Sequence, residues 1–263
     1  MERHNGRRRS IEPYLKFVRL LDDEIPIDTR VDHILDTVTE RGFDRLLSDL
    51  DDAGVRAGFS IPSIHIEEDE WLEPKMDRLL EDGHEILLHG HRHSSYMAVD
   101  YGTAHEELSH AIERVRSSVG VEPTGFHVPY GRVSRGTVEA ASELGIERIV
   151  GTLSDRELDG TPFDQGLDDD SVEPTIVTPV RPYDLHLFER GLEPEAVFDE
   201  LDRMADESSL LLLHPNVHAS QEGLATFASW LDRTDCRTPS DLVAGTGSGP
   251  GLLLDVFPPF RVA

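Results

Sequence analysis

The sequence predicts an α/β fold, a distorted TIM-like (β/α)7 barrel in a single domain, and three observations lead to it. Seven short apolar segments alternate with longer segments in which apolar residues recur every three or four positions. Parallel strands need long crossover connections, and a helix between consecutive strands provides them. A chain of 263 residues has the length of one such barrel.

Each predicted strand is a short run of mostly apolar residues. In chain order the strands are predicted at 16–21, 57–62, 84–88, 125–128, 147–153, 175–180 and 209–213. The helices follow the helical spacing of apolar residues and are predicted at 31–50, 71–81, 105–119, 133–144, 193–205 and 222–231. The third helix stops at Gly120, a residue that favours a helix C-terminus. The acidic segment 154–173 shows neither period and is predicted to be a surface loop.

The composition is strongly acidic. Asp and Glu total 52 against 25 Lys and Arg, which gives a net charge of −27, and the lysines are Lys16 and Lys75. Such a charge repels phosphate backbones, so nucleic acid is not an expected partner. No apolar stretch is long enough for a transmembrane helix, so no membrane partner is expected. Concentrated salt would screen this charge strongly, which predicts a protein adapted to a high-salt cytoplasm.

The predicted barrel has a short segment on each side. Residues 1–13 are expected to be a solvated basic tail, 14–245 the barrel, and 246–263 a glycine-rich C-terminal tail. The arginines near residue 1 are not followed by an apolar segment, so no signal peptide is expected. Cys236 is the only cysteine, which excludes an internal disulfide. These features predict a cytoplasmic protein.

Polar residues suited to metal binding or proton transfer follow four of the predicted strands. They are Asp22 and Asp23 after 16–21, His89, His91 and His93 after 84–88, the segment Phe-His-Val-Pro-Tyr-Gly at 126–131, and His214 after 209–213. In β/α barrels the carboxyl ends of the strands meet at one rim, where the active site lies. We therefore expect these residues to come together.

The three histidines after the third strand favour a metal site over a structural cluster. Imidazole is a common zinc ligand, and two imidazoles with one carboxylate leave a coordination position open for water. On a helix His89 and His93 would share one face, whereas on a strand His91 would join them. The spacing leaves these two arrangements open.

Five segments resemble, in order, the motifs of the polysaccharide deacetylase family, carbohydrate esterases that act on N-acetylated sugars. The most specific is G-H-E-I at 83–86 followed by His89 and His93, which is similar to the family pattern G-H-E-I-x-x-H-x-x-x-H. The other four are L-L-D-D at 20–23, A-G-F-S at 57–60, F-H-V-P-Y-G at 126–131 and L-H at 213–214. The resemblance covers residues 16–243. Within it, His84 is expected to be structural.

The resemblance implies a metal-ligand set and a general base. Asp23, His89 and His93 would hold one divalent metal ion, commonly zinc in this family. Cobalt, nickel or manganese suit the same ligand types. Asp22 would be the base that takes a proton from the water activated by the metal. His91 has no role in the family motif.

The resemblance also implies an acid and an oxyanion donor. His214 would protonate the leaving amine, and the backbone N–H of Tyr130 would stabilise the oxyanion. The family pairs its acid histidine with an aspartate, for which Asp155 and Asp184 are the alternatives. His127 stands where the family has an arginine that is thought to orient the base.

These roles imply a metal-dependent hydrolase that removes an acyl group, in this family an acetyl group, from an N-acylated sugar or a similar small substrate. A cytoplasmic protein would meet small sugars or precursors and not a cell-wall polymer. A second hypothesis is a metal-dependent hydrolase that acts on a different bond, either another small-molecule amide or an ester. A third is a catalytically silent barrel that binds carbohydrate or metal as a sensor or partner protein, and the histidine at position 127 favours it.

Overall fold

A computed structural model describes residues 40–154, 174–215 and 221–256. The predictions for strand 16–21, Asp22, Asp23 and Asp155 lie outside these residues. The strands of the described residues all pair in parallel. They are β1 (Gly58–Ile61), β2 (Glu85–Leu88), β3 (Gly125–Val133), β4 (Arg148–Leu153), β5 (Thr175–Val177), β6 (Leu210–Leu213) and β7 (Gly251–Asp255).

Helices lie between the strands and pack on the sheet. They are α1 (Glu40–Ala53), α2 (Ser63–Glu68), α3 (Leu72–Glu81), α4 (Tyr101–Val119), α5 (Arg135–Glu143), α6 (Asp184–Glu189), α7 (Pro194–Met204), α8 (Gln221–Leu231) and α9 (Pro239–Ala244). Helix α4 is capped at its start by Asp100, which accepts from the N–H of Thr103, and it ends at Gly120 in a left-handed conformation, as predicted. Over the described ranges, no helix is long and apolar enough to cross a membrane.

The strands form one sheet in the order β5-β4-β3-β2-β1-β7-β6. The two edges of this sheet approach each other, because the backbone N–H of Val180, just after β5, donates to the carbonyl oxygen of Leu210 in β6 at 2.9 Å. The sheet is therefore a curled half-barrel whose edges are joined at this point. This confirms the predicted fold class, a seven-stranded α/β barrel in a single domain.

Strand β7 corrects the prediction that a glycine-rich tail begins at residue 246. The structure places this strand within the sheet, between β1 and β6. Leu252, Leu253 and Leu254 are fully buried there. Each buried leucine contributes about 1.5–3 kcal/mol, which outweighs the weak strand preference of the glycines that precede them. Strand β1 is consequently paired on both edges, with β2 on one side and β7 on the other.

Strand alternation divides the core into an inner and an outer layer. The side chains inside the curled sheet form a small apolar cluster of Leu87, Val150, Leu210, Leu212 and Leu253. Leucines at the intervening positions, such as Leu211 and Leu254, join the larger cluster between the sheet and the helices. Successive strand residues face opposite sides of a sheet. Polar residues two positions beyond an inner leucine therefore also face into the barrel.

His84 has a structural role at the start of β2, as the sequence predicts. Its Nδ1 accepts a hydrogen bond from the backbone N–H of Ala57 at 3.2 Å, and its ring packs edge-to-face on Phe59 with 5.3 Å between ring centroids. The side chain is buried, and burial is the main cause that lowers its pKa. The folded protein therefore favours neutral His84.

We expect His84→Asn to reduce the loss of stability that occurs on acidification. An unfolded histidine has a pKa of about 6.5, whereas the pKa of folded His84 is lower. Below about pH 6.5 protons therefore bind the unfolded chain preferentially, and stability falls as the pH drops. Urea midpoints at about pH 7.5 and pH 5.5 measure this fall. A variant that loses as much stability as the unmodified protein would contradict the assignment, since the asparagine oxygen can still accept from Ala57.

Candidate metal centre and active site

A group of polar side chains comes from five neighbouring strands of the sheet, one of which is the edge strand β6. Ser60 lies in β1, His127 in β3 and Asp255 at the end of β7, while His89 and His214 directly follow β2 and β6. His89, Asp255 and His214 each lie two positions after an inward-facing leucine. Strand alternation therefore turns all three into the barrel. They meet at the rim that the sequence predicts for the site.

His89, His93 and Asp255 form a candidate metal centre, called here the inner centre. One ligand atom from each residue lies within 4.8 Å of the other two, and all three side chains are buried. His89 Nε2 is 3.4 Å from Asp255 Oδ2. The rings of His89 and His93 are in edge contact, with 4.5 Å between centroids. Two imidazoles and a carboxylate are the ligands of zinc sites that keep one position open.

The donor atoms of the inner centre fit a divalent metal ion. His89 Nε2, His93 Nδ1 and Asp255 Oδ1 are buried without a hydrogen-bond partner among the described residues, which is costly unless they bind something. His89 Nδ1 lies 2.7 Å from the carbonyl oxygen of His127. That oxygen only accepts, so Nδ1 carries the proton and Nε2 keeps its lone pair. Metal-binding histidines are usually fixed by such a contact.

The electrostatics of the inner centre favour an ionised Asp255 and a neutral His93. Burial by itself raises the pKa of Asp255, but attraction to His89, and next to His214 and His127, outweighs burial and lowers this pKa below its usual range. Burial, followed by repulsion from His89, lowers the pKa of His93 to about 3. These are the protonation states in which carboxylate and imidazole bind a metal.

His214 is oriented by Asp184, a fully buried residue at the start of α6. Asp184 Oδ1 accepts a hydrogen bond from His214 Nδ1 at 2.8 Å, and Oδ2 accepts one from the backbone N–H of His214 at 2.6 Å. His214 Nε2 lies 3.7 Å from Asp255 Oδ2 and faces the inner centre. Of the two aspartates that the sequence left open, the structure pairs Asp184 with His214, while Asp155 lies outside the described residues.

His127, the residue in place of the family arginine, is buried beside the inner centre. Its Nδ1 is 2.8 Å from Ser60 Oγ, and its ring stacks on His89 with 4.4 Å between centroids. Burial, and then the neighbouring His89, hold the pKa of His127 well below its usual value. The ring is therefore neutral and does not supply the permanent positive charge of an arginine.

Tyr130 and His93 lie side by side in left-handed backbone conformations. Their φ angles are +62° and +55°, and their rings contact edge to face with 4.9 Å between centroids. A positive φ is uncommon outside glycine and is concentrated at functional sites. The Tyr130 side chain is 64% exposed, so this residue borders the inner centre on the solvent side. Its oxyanion role stays a prediction.

The structure brings together His89, His93 and His214, which the sequence singled out, and it adds Asp255. Sequence reasoning missed Asp255 because it placed this residue in the C-terminal tail. A signal was present in the sequence. The leucines at 252–254 are followed directly by Asp255, just as the leucines at 20–21 are followed directly by Asp22 and Asp23. The metal-ligand and base roles of those two aspartates stay predictions.

Fold and site together define an α/β half-barrel protein with a histidine–aspartate centre at the carboxyl ends of its strands. Residues 28–149 match the polysaccharide deacetylase family model, which confirms the resemblance seen in the sequence. The uncharacterized protein YlxY of Bacillus subtilis (strain 168) is 26% identical over 76 residues, or 29% of this chain. That match covers 24% of YlxY, about a quarter of its length.

Three solved structures illustrate the similarity of fold. A putative polysaccharide deacetylase from Mycobacterium smegmatis is 19% identical, with a TM-score of 0.56 over 84% of this chain and 79% of that one. A CE4 family pseudoenzyme from Bacillus anthracis is 12% identical, with a TM-score of 0.53 over 82% and 59% of the two chains. A family 4 acetyl xylan esterase from Clostridium thermocellum, in complex with a cobalt ion, is 17% identical, with a TM-score of 0.50 over 79% and 87%. At these identities the likeness concerns the fold.

Proposed function

We propose that this chain is a metal-dependent deacylase that hydrolyses an acyl group, in the first instance acetyl, from an N-acylated sugar or a similar small carbohydrate. The family match supports a hydrolase of the deacetylase type and supplies the carbohydrate class of substrate. One observation carries the proposal, the position of the oriented His214 beside the buried ligand atoms of the inner centre.

The inner centre would hold one divalent ion through His89, His93 and Asp255. Zinc and cobalt suit these ligands, and the acetyl xylan esterase contains cobalt. When bound, the ion polarises the acyl carbonyl and lowers the pKa of a water molecule. We assign a carboxylate ligand to Asp255 because it groups with both histidines in the described residues. The family motif implies Asp23 for the same role.

His214 is the residue that we assign to proton transfer. Asp184 accepts from its Nδ1, so Nε2 faces the inner centre. From this position Nε2 can donate a proton to the nitrogen of the leaving amine, which departs poorly as an anion. The carboxylate of Asp184 also stabilises the imidazolium form that donates this proton.

The base and the oxyanion donor are carried over from the family resemblance. Asp22 is the proposed base, and its assignment depends on the sequence alone because it lies outside the described residues. The backbone N–H of Tyr130 is the proposed oxyanion donor. The contact between the rings of Tyr130 and His93 supports this second role, since it holds Tyr130 next to a metal ligand.

The release of acetate from N-acetylglucosamine oligomers tests the proposal. The protein is loaded with zinc or cobalt in concentrated KCl, because a net charge of −27 favours salt. We expect acetate and free amine in equal amounts. His214→Gln should lower turnover by about 10²–10⁴-fold at unchanged metal content. His105→Gln, in α4, is the matched control and should leave turnover unchanged.

The outcomes separate the candidate bonds. If acetate is released from acetylated xylan but not from N-acetylated sugars, the bond that the protein hydrolyses is an ester and not an amide. If the protein holds one ion per chain at the inner centre but releases no acetate from either substrate, the proposal of a hydrolase is wrong.

A catalytically silent barrel is the second candidate, and His127 is the observation that favours it. This residue is neutral where the family has a permanent positive charge. A pseudoenzyme has the same fold. In this case N-acetylated sugar or metal would bind without turnover, and calorimetry would detect the binding in the unmodified protein and in His214→Gln alike.

A further inference from the structure

A second group of metal-binding side chains lies apart from the inner centre. Glu67 is in α2, His110 is in α4, and His91 is in the loop after β2. One ligand atom from each lies within 4.8 Å of the other two. His110 Nε2 is 3.2 Å from Glu67 Oε1, and the rings of His91 and His110 are 4.6 Å apart between centroids. Three elements that are separate in sequence thus converge on one point.

His91 is held in place by the first turn of α2. Ser63 Oγ is 2.9 Å from His91 Nδ1. The backbone N–H of Ile64 donates to the carbonyl oxygen of His91 at 3.1 Å, and the N–H of Ser63 donates to that of Gly90 at 3.0 Å. With Nδ1 bonded to the hydroxyl, Nε2 is the nitrogen that remains for a metal, as in histidine ligands fixed by an outer contact. The ligand is therefore oriented before any ion binds.

Glu67 is also held by Arg114, which lies one turn after His110 on α4 and contacts the same carboxylate oxygen. Arg114 Nε is 3.2 Å from Glu67 Oε1. Carboxylates that bind metals are commonly held by such second contacts. The guanidinium reduces the local attraction for a cation, but the net charge of −27 opposes this effect.

We propose that Glu67, His91 and His110 form a second site, called here the outer site, for a borderline transition-metal ion such as Zn²⁺. Two imidazoles and a carboxylate are ligands that zinc prefers, with water completing the coordination. Bonds of ~2.0–2.1 Å in tetrahedral geometry place ligand atoms roughly 3.3 Å apart. The 3.2 Å between His110 Nε2 and Glu67 Oε1 agrees with this spacing.

The outer site would stabilise the loop that serves the inner centre. His91 lies between His89 and His93 in the chain, so an ion at the outer site ties this loop to α2 and α4. Its role is structural, and it does not depend on whether the inner centre is catalytic.

Zinc titration by calorimetry on the full chain tests the outer site. We expect two ions per chain in the unmodified protein and one in His110→Ala. His105→Ala, on the same helix, is the matched control and should keep two. In a His89→Ala, His93→Ala background one ion should remain, and adding His110→Ala should remove it. Since His110 is exposed and its contact with Glu67 is at the surface, the melting temperature without metal should change little.

Equal zinc stoichiometry in the unmodified protein and in His110→Ala would overturn the outer site, and so would loss of all zinc in the His89→Ala, His93→Ala protein. A third result would contradict metal binding at the inner centre and support the outer site. In that result the unmodified protein binds one ion, His110→Ala loses it, and the His89→Ala, His93→Ala protein keeps it.

Discussion

Replacing Asp255 with asparagine is expected to weaken metal binding at the inner centre by more than about 100-fold, because loss of a ligand exceeds the 10–100-fold effect of losing an outer contact. Asparagine keeps the shape of the side chain but removes the negative charge. Asp255 Oδ2 is 3.4 Å from His89 Nε2, so the substitution acts where the ligand atoms meet. Elemental analysis of protein purified without chelator should show a fall from two ions to one, the remaining ion being in the outer site.

Asp23→Asn is the matched control for this variant. If the N-terminal segment supplies the carboxylate, as the family motif implies, Asp23→Asn loses the ion and Asp255→Asn keeps it. The reverse result would support the assignment to β7. Loss of the ion in both variants would mean that both acids bind the same ion.

Asp255 lies near the C-terminal end of the sequence, whereas the family motif implies a carboxylate ligand near the N-terminal end, at Asp23. Strand β7 pairs with β1 on one side and β6 on the other. All strands of the sheet run parallel, so the last residue of any strand in this position lies at the same rim. The place of β7 in the sheet is decided by strand pairing and by the burial of its leucines, and not by its order along the chain. A motif read in sequence order therefore does not reveal that a residue from another strand can complete the site.

Local patterns predicted most strands well, and β3 shows their limit. The sequence predicts 125–128, whereas β3 continues to Val133. The register against β4 shifts between His127 and Arg132, where Pro129 and Gly131 lie. These two residues normally end a strand, but here they make an irregularity within it. Pairing with β4 on both sides of the shift is a tertiary effect that the sequence pattern does not contain.

The candidate site shows the same difference between local and distant information. His89 and His93 lie in one short motif, so the sequence predicts them together. The partner of His214 is Asp184, 30 residues away in the chain. The sequence left Asp155 and Asp184 as alternatives because it does not give the path of the chain between β4 and β6. Asp184, at the start of α6, contacts His214 because α6 packs against β6. This packing is not visible in the sequence.

Replacing Asp184 with asparagine is expected to lower kcat by about 10²–10⁴-fold at unchanged metal content. Asp184 accepts from both Nδ1 and the backbone N–H of His214. An amide has one accepting oxygen, so one of these donors would meet the NH₂ group, and the imidazole would lose its orientation. Initial rates of acetate release measure the effect. Asp199→Asn, on the exposed surface of α7, is the control and should not change kcat.

A double variant decides whether Asp184 acts through His214. If it does, His214→Gln combined with Asp184→Asn should cost no more than the larger single loss, because the two residues form one unit. Additive losses would mean that Asp184 serves the site in another way. Asp184 is fully buried, so its substitution could also disturb folding, and melting curves of metal-loaded protein separate that effect. His214→Gln leaves Asp184 in place and therefore tests the acid even if Asp184→Asn does not fold.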